Sequence, residues 1–337
     1  MRVVCPIIDG SGVEIYHQRL SLALSCLGVR TDILKFSPGW EYFPWLLPVA
    51  FHSSKLVKSD LIHSNIDYGS LFQIRGRPRI FTLHHSSIDE KHLSALPFPV
   101  RIHHRYVLKP LVKQAIDQAD KLVAVSNYSR TVICELFQKD LPIQVIYNGV
   151  DAERFHPIKQ QEKKGPLTLF FSGNPTYRKG VDLFEPVMKN LGKDFVLRYT
   201  TGLRNHRESM PSGNNIICLG SLTEDELIKE VNQAHIIFQP SRREGFGLSI
   251  LEAMACGKPV VSTLATAIPE VLTNNKGGIL CEPESVDQLV NAIRTLASSR
   301  DLREKMGRFN RENVLRHFTL KNMSIQYYHL YRELLDN

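Results

Sequence analysis

Glu244 and Glu252 share the segment Pro240-Ser241-Arg242-Arg243-Glu244-Gly245-Phe246-Gly247-Leu248-Ser249-Ile250-Leu251-Glu252-Ala253-Met254-Ala255-Cys256-Gly257. An apolar, strand-like run at 236–239 precedes it, and a helix is predicted to begin near Phe246. The loop glycines let the backbone come close to a ligand, and the free N–H groups of a helix start form an anion site. Glu244, just before that helix, can reach the outer part of a ligand whose phosphate rests on the helix start. Glu252 can accept hydrogen bonds from vicinal hydroxyls of the kind a ribose carries. The plain alternative is a loop-to-helix junction with two surface glutamates and Gly257 as an ordinary helix stop.

The elements that must hold these residues follow one grammar, strand then loop then helix. Strands are predicted at 3–8, 31–36, 61–63, 80–83, 122–125 and 144–146, with helices near 13–27, 100–119 and 129–137. After a polar, turn-rich break at 148–166 the grammar restarts, with strands at 167–171, 195–199, 216–219, 236–239, 259–262 and 278–281. Helices are expected near 224–233, 248–255 and 285–297, and a last one over 318–335. Short β-branched runs alternating with amphipathic helices indicate parallel sheets covered on both faces. The fold class is therefore α/β, with two Rossmann-like doubly wound domains, and ligands of such domains bind at the carboxyl ends of the strands. The first domain is assigned to residues 1–155, the second to 160–317, and the helix at 318–337 is expected to pack towards the first.

A length of 337 residues suits two domains of about 150 each. Hydrophobic content of 43% and charged content of 23% are ordinary for a soluble globular protein. Met1-Arg2 runs directly into an apolar stretch that reads as a buried strand rather than a secretory leader, and no stretch approaches the roughly 20 apolar residues of a membrane span. Cys5, Cys26, Cys134, Cys218, Cys256 and Cys281 are scattered, with no C-x-x-C pair or zinc-type spacing, and are expected as reduced core residues of a cytosolic protein. The net charge of +8 is compatible with nucleic acid, an anionic membrane face or a phosphate-bearing substrate.

The glutamate segment resembles the Glu-x7-Glu signature of family 4 retaining glycosyltransferases, which have the GT-B fold. The likeness continues along the chain. Ala119-Asp120-Lys121-Leu122-Val123-Ala124-Val125-Ser126 is similar to the strand closing the family's first domain, and Val145-Ile146-Tyr147-Asn148-Gly149-Val150-Asp151 to its interdomain connector. Ser172-Gly173-Asn174-Pro175-Thr176-Tyr177-Arg178-Lys179-Gly180 resembles its phosphate loop, and Ile268-Pro269-Glu270 and Gly277-Gly278 match segments after the glutamate helix.

The resemblance implies roles. Glu244 would contact hydroxyls of the donor sugar and Glu252 the nucleotide ribose, while backbone N–H groups from Phe246 through Gly247 to Leu248 would hold the distal phosphate. Lys179 matches the family's lysine clamp for the diphosphate. The family often carries an arginine right after the loop glycine; here Gly173 is followed by Asn174, and Arg178 is expected to supply the missing cation. Two cations suit the negative charge that builds on a departing nucleoside diphosphate. Gly12, Gly173, Asn174 and Gly220 are counted with the donor site. Gly10 and Gly12 resemble the family's first glycine loop, and His84 matches a histidine near the transferred sugar, although His85 stands where aspartate is frequent. No Asp-x-Asp lies near a strand end, so neither a metal nor any other cofactor is expected, and the donor is a nucleotide diphosphate sugar used as substrate.

The expected acceptor is a glycan or lipid-linked glycan in cell-envelope polysaccharide or lipopolysaccharide synthesis. Trp40, Tyr42, Phe43 and Trp45 share one segment, and Arg101, His103, His104, Arg105, Lys109 and Lys113 form a basic stretch on a predicted helix. Together they suit a cytoplasmic enzyme that leans on an anionic membrane; a buried aromatic loop beside a solvated helix is the alternative. No nucleic-acid-binding motif accompanies the basic stretch. The rival readings are an epimerase or phosphorylase on the same fold, or a non-catalytic sugar-nucleotide-binding protein.

Overall fold

The computed structural model describes residues 1–8, 12–50, 58–85, 88, 89, 93, 97–159, 165–202 and 210–336. It divides into two units, Met1–Asn148 with Leu320–Asn337, and Gly149–Thr319.

The first unit is a parallel sheet in the order β2-β1-β3-β4-β5-β6, with β1 Arg2–Ile8, β2 Arg30–Phe36, β3 Leu61–Asn65, β4 Arg79–Leu83, β5 Lys121–Ala124 and β6 Ile143–Val145. Successive side chains leave a strand on opposite faces. Ile80 and Val123 thus join one core, while Phe81 and Leu122 join the other. On the first face, Tyr16, Leu20 and Leu24 of α1 (Gly12–Ser25) pack on the sheet. The second face is covered by Leu108, Val112 and Ala115, and by Ile133 from the helix Asn127–Phe137.

The helix read near 100–119 is split. α2 (Phe98–His103) and α3 (Lys109–Gln118) are joined by a π-helical turn, His104–Leu108. Pro110 near the start of α3 has no N–H to donate back, and the wider turn absorbs that loss.

The last helix, α8 (Leu320–Asp336), completes the first unit. Leu320, Met323, Tyr327, Leu330 and Tyr331 recur at helical spacing and are all buried in its core.

The second unit is a parallel sheet in the order β12-β11-β10-β7-β8-β9. Its strands are β7 Leu167–Phe171, β8 Phe195–Tyr199, β9 Ile216–Cys218, β10 Ile236–Gln239, β11 Val260–Thr263 and β12 Gly278–Cys281. The order reverses between β7 and β10, which makes that pair the switch point of a doubly wound sheet. Phe171, Phe184, Phe238, Leu289 and Ile293 anchor the core. Beside α5 (Glu224–Gln233), two helices of eight residues or more absent from the sequence reading belong here, α4 (Phe184–Leu191) and α7 (Arg300–His317). α7 packs through small and polar groups: a Cβ on Gly307 would lie 2.0 Å from the Gly257 carbonyl oxygen, and Asn310 donates to the carbonyls of Lys258 and Gly277. An apolar periodicity therefore does not reveal it. Arg311 of α7 donates to the carbonyls of Ala152 and Phe155, which ties the start of this unit to its last helix.

All six cysteines are free thiols. Cys5, Cys256 and Cys281 are buried, but Cys26 and Cys218 are exposed, so the expectation of core cysteines fails for those two. Cys26 lies just beyond α1 and Cys218 on the edge strand β9, where little covers them.

Candidate functional site

At the switch point the loops after β7 and β10 are laced together. Gln239 Nε2 donates to the Ser172 carbonyl at 2.8 Å, and the Arg242 N–H to the Arg178 carbonyl at 2.9 Å. Gly180 has φ +74°, and a Cβ there would lie 2.1 Å from the Pro240 carbonyl oxygen, so only glycine lets the loops meet. Arg242 reinforces the join. Its guanidinium bonds both Asp182 oxygens at 2.7 and 2.8 Å and Glu284 at 2.6 Å, and lies 3.8 Å from the centre of the Tyr177 ring.

This lacing brings Lys179 to Glu244. Lys179 Nζ lies 2.5 Å from Glu244 Oε1, the Ser241 hydroxyl donates to the same oxygen at 2.9 Å, and Arg178 is 3.7 Å from Oε2. Glu244 is only 5% exposed. Burial alone would push its carboxyl up; the cations Lys179 and Arg178 outweigh it and hold the group below the ordinary carboxylate range. Burial draws Lys179 below the usual ammonium range, opposed by the charges of Glu244 and Glu252. Arg178 also donates to the Arg243 carbonyl at 2.9 Å. The Glu244 backbone N–H bonds the hydroxyl of Thr266, a residue held at φ +54°.

The glutamate helix, α6 (Leu248–Ala255), follows Gly247, whose φ is +101°. It starts two residues beyond the predicted Phe246, because Phe246 is drawn into the interior against Phe318, with ring centres 6.0 Å apart. Glu252 is buried on this helix. In its first turn the Ser249 hydroxyl is buried with no hydrogen-bond partner, a group that sequence reasoning passed over. Gly173 (φ +135°) follows β7 and is bonded to Thr200, while a Cβ on Gly202 would strike the Asn174 side chain. Gly220 (φ +72°) accepts from the Thr201 N–H. Lys179, Arg178, Gly173, Asn174, Gly220, Glu244, Gly247, Leu248 and Glu252 thus all lie in the second unit, at or just past the carboxyl ends of its strands.

His84 and Gly12 belong to the first unit. Gly12 is the first residue of α1, and Gly10 lies outside the described residues. His84 follows β4 with its ring centre 4.4 Å from that of Tyr16, and its Nε2 is buried without a partner. Burial, and then the nearby His17, push its pKa down to about 3, so the ring is neutral at physiological pH.

Residues 153–313 match the family model for glycosyl transferases group 1, and residues 10–154 match that for glycosyltransferase family 4. An uncharacterized glycosyltransferase of Methanocaldococcus jannaschii is 30% identical over 286 residues, which cover 82% of this chain and 76% of the relative. This chain is a family 4 glycosyltransferase.

Solved structures show its fold. The sucrose-phosphate synthase of Thermosynechococcus elongatus superposes with a TM-score of 0.84 over 100% of both chains at 18% identity. Anabaena HepE, solved with UDP and glucose, gives 0.77 over 98% of this chain and 99% of its own at 17% identity. The glycosyltransferase therefore has the GT-B fold.

Behind His84 the glycosyltransferase carries a polar cluster with no counterpart in the sequence reading. His63 bonds the Tyr331 hydroxyl through Nδ1 and the Thr82 hydroxyl through Nε2, both at 2.7 Å, and the Tyr16 and Tyr327 hydroxyls are 2.5 Å apart. Metal-type ligand atoms of Cys5, His17 and His63 lie within 4.8 Å of one another. Spacing could not reveal this group, because three separate elements contribute. Two features oppose a metal centre: both His63 nitrogens are already engaged, and burial followed by the Asp32 charge pushes the Cys5 thiol up to about 12, which disfavours the thiolate. His63, Thr82, Tyr331, Tyr16 and Tyr327 form a hydrogen-bonded core, while both ring nitrogens of His17 are buried beside it without a partner.

Proposed function

We propose that this glycosyltransferase moves a hexose from a nucleotide diphosphate sugar to a hydroxyl of a glycan or lipid-linked glycan, with retention at the anomeric carbon, in cell-envelope polysaccharide or lipopolysaccharide synthesis. One observation supports the donor side above others: the buried Lys179–Glu244 pair, 2.5 Å apart, at the switch point beside the start of the glutamate helix. A diphosphate on that helix start meets backbone N–H groups, the unpartnered Ser249 hydroxyl and the Lys179 ammonium. HepE, a neighbour in fold, was solved with UDP and glucose, and such a ligand suits these groups.

Glu252 accepts the ribose hydroxyls and Glu244 those of the sugar, and the neutral His84 ring of the first unit is assigned a part in the transfer. Two cations and its ion-paired state make Glu244 a poor nucleophile, which favours one displacement over a covalent glycosyl-enzyme. In that step the bond from the anomeric carbon to the phosphate oxygen breaks, and the acceptor oxygen bonds the same face. The acceptor proton passes to the departing phosphate, whose growing charge Lys179 and Arg178 stabilise. No metal is required.

A panel of nucleotide sugars tests this by thermal shift, followed by NMR of the product. At least one UDP- or GDP-hexose should raise Tm, and the product should keep the donor's anomeric configuration. An inverted product would overturn the retaining mechanism. Turnover to water or inorganic phosphate, with no glycan accepted, would point to a phosphorylase.

A further inference from the structure

Of the sixteen large apolar side chains exposed on the described residues, eight fall in two short segments of the first unit, four at 42–46 and four at 98–106. The first segment is a pair of 3-10 turns, Pro38–Tyr42 and Pro44–Leu46, in which Tyr42, Phe43 and Trp45 are 69%, 55% and 61% exposed. Trp40 is turned inward against the cluster of Val4, Leu47 and Phe72, so the turns are anchored in the core while Trp45 faces outward. The second segment is α2 and the π turn after it, where Phe98, Ile102 and Tyr106 are 64%, 41% and 70% exposed. His103 Nε2 bonds the Glu41 carbonyl at 2.9 Å and its ring centre lies 6.3 Å from that of Tyr42, which joins the two segments into one surface.

The spacing along 98–113 makes that surface unusual. Leu108 and Val112 face the core, as the inner stripe of any surface helix does. The outer stripe, Phe98, Ile102, Arg105, Tyr106, Lys109 and Lys113, should then be polar throughout. It is apolar at its start and cationic at its end. The Arg101 guanidinium lies 5.5 Å from the Phe98 ring centre and adds a further cation. Acidic groups nearby include Glu41, Asp67 and Asp117; burial pushes the Asp67 carboxyl up to about 7, and Asp117 is paired with Lys139 at 3.7 Å. Aromatic side chains on a firm base, bordered by lysines and arginines with long apolar stems, match a lipid interface: the rings enter the headgroup layer and the cations meet anionic phosphates.

We propose that the Tyr42–Leu46 turns and the outer face of residues 98–113 dock this glycosyltransferase on an anionic lipid bilayer. The docking deepens the lipid-linked reading of the acceptor and rests on it for its purpose, but lipid binding itself is measured without donor or acceptor.

The test is sedimentation of the full chain with vesicles of phosphatidylcholine alone, or of phosphatidylcholine with phosphatidylglycerol, at low and moderate salt. Binding should require phosphatidylglycerol and weaken as salt rises. The variant Arg105→Glu/Lys109→Glu/Lys113→Glu, and separately Trp45→Ser/Tyr106→Ser, should each bind at least tenfold more weakly, with nucleotide-sugar stabilisation unchanged. Wild-type protein left in the supernatant with anionic vesicles at low salt overturns the proposal, as does equal binding to neutral vesicles or full binding by either variant. A dimer in analytical ultracentrifugation that Trp45→Ser/Tyr106→Ser dissociates would assign the face to a second copy instead. Failure of every nucleotide sugar to stabilise the wild type would sink the transferase reading and leave the docking result standing.

Discussion

Lys179 has two claims on it, the Glu244 carboxylate that holds it and the diphosphate it is proposed to serve. Removing it should therefore produce two separable effects. Lys179→Ala should lower kcat by about two to three orders of magnitude, because leaving-group charge is met in the transition state more than in the ground state. It should also lower Tm, since Glu244 keeps its burial and loses its nearest countercharge. Arg178→Ala should lower kcat with little change in Tm, because Arg178 is 40% exposed and 3.7 Å from Glu244. Normal turnover in Arg178→Ala would end its role as the cation absent at Asn174. Glu252 makes a cleaner case. Glu252→Ala should weaken the free nucleoside diphosphate and the donor alike, by about 1.5–3 kcal/mol. Unchanged calorimetric affinity for the diphosphate would remove the ribose assignment.

Elements matter here mainly through the places where they touch. The β7 and β10 loops close on each other at Gly180, where both φ and the Pro240 carbonyl exclude a side chain. Gly180→Ala should cost more than about 1 kcal/mol of stability and weaken donor binding together, by moving Lys179 away from Glu244. A donor affinity that survives the loss of stability would show that the loops do not need this contact. In the first unit, α8 is held to β3 through Tyr331–His63 and to α1 through Tyr327–Tyr16. Burial, followed by the charge of His84, pushes His63 to about 3; burial followed by His17 does the same to His84. Unfolded, these imidazoles take a proton near pH 6.5; folded, not until about 3. Their contribution to stability is therefore intact above pH 6.5 and is lost progressively as pH falls towards 3. Tyr16, Tyr327, Tyr331 and Cys5 face these rings with no negative charge to offset a proton, since burial pushes all four up. Tm should fall between pH 7 and pH 5, and a flat profile would contradict neutral, buried histidines.

At the scale of the whole molecule, the chain leaves its first unit at Gly149, builds the second, and returns at Leu320 to complete the first. Neither the proposed reaction nor the histidine cluster is assigned a metal. Excess EDTA should therefore leave both turnover and Tm unchanged. A rate that collapses and returns with magnesium or manganese would contradict the cationic account of the leaving group. A drop in Tm alone would reopen Cys5, His17 and His63 as a metal centre. Among the described residues no helix is long and apolar enough to cross a membrane.

What the sequence determined by itself is local. The 236–257 stretch encodes strand, glycine loop and helix in order, so Glu244 falls in the loop before the helix and Glu252 within it. Alternating strand and helix signals likewise determine two parallel α/β sheets, because each sheet face must be covered by a crossover helix. Tertiary structure decided what meets across long sequence distances. Lys179 reaches Glu244 across 65 positions because strand order sets β7 beside β10. His17, His63 and His84 converge because α1, β3 and the end of β4 pack at one place under α8. Trp40 and Trp45, five positions apart and alike in composition, part company because one turn is packed on the core and the next is not. α7 escaped notice because Gly307 and Asn310 pack by closeness and hydrogen bonds, and neither leaves the apolar period that reading a sequence depends on.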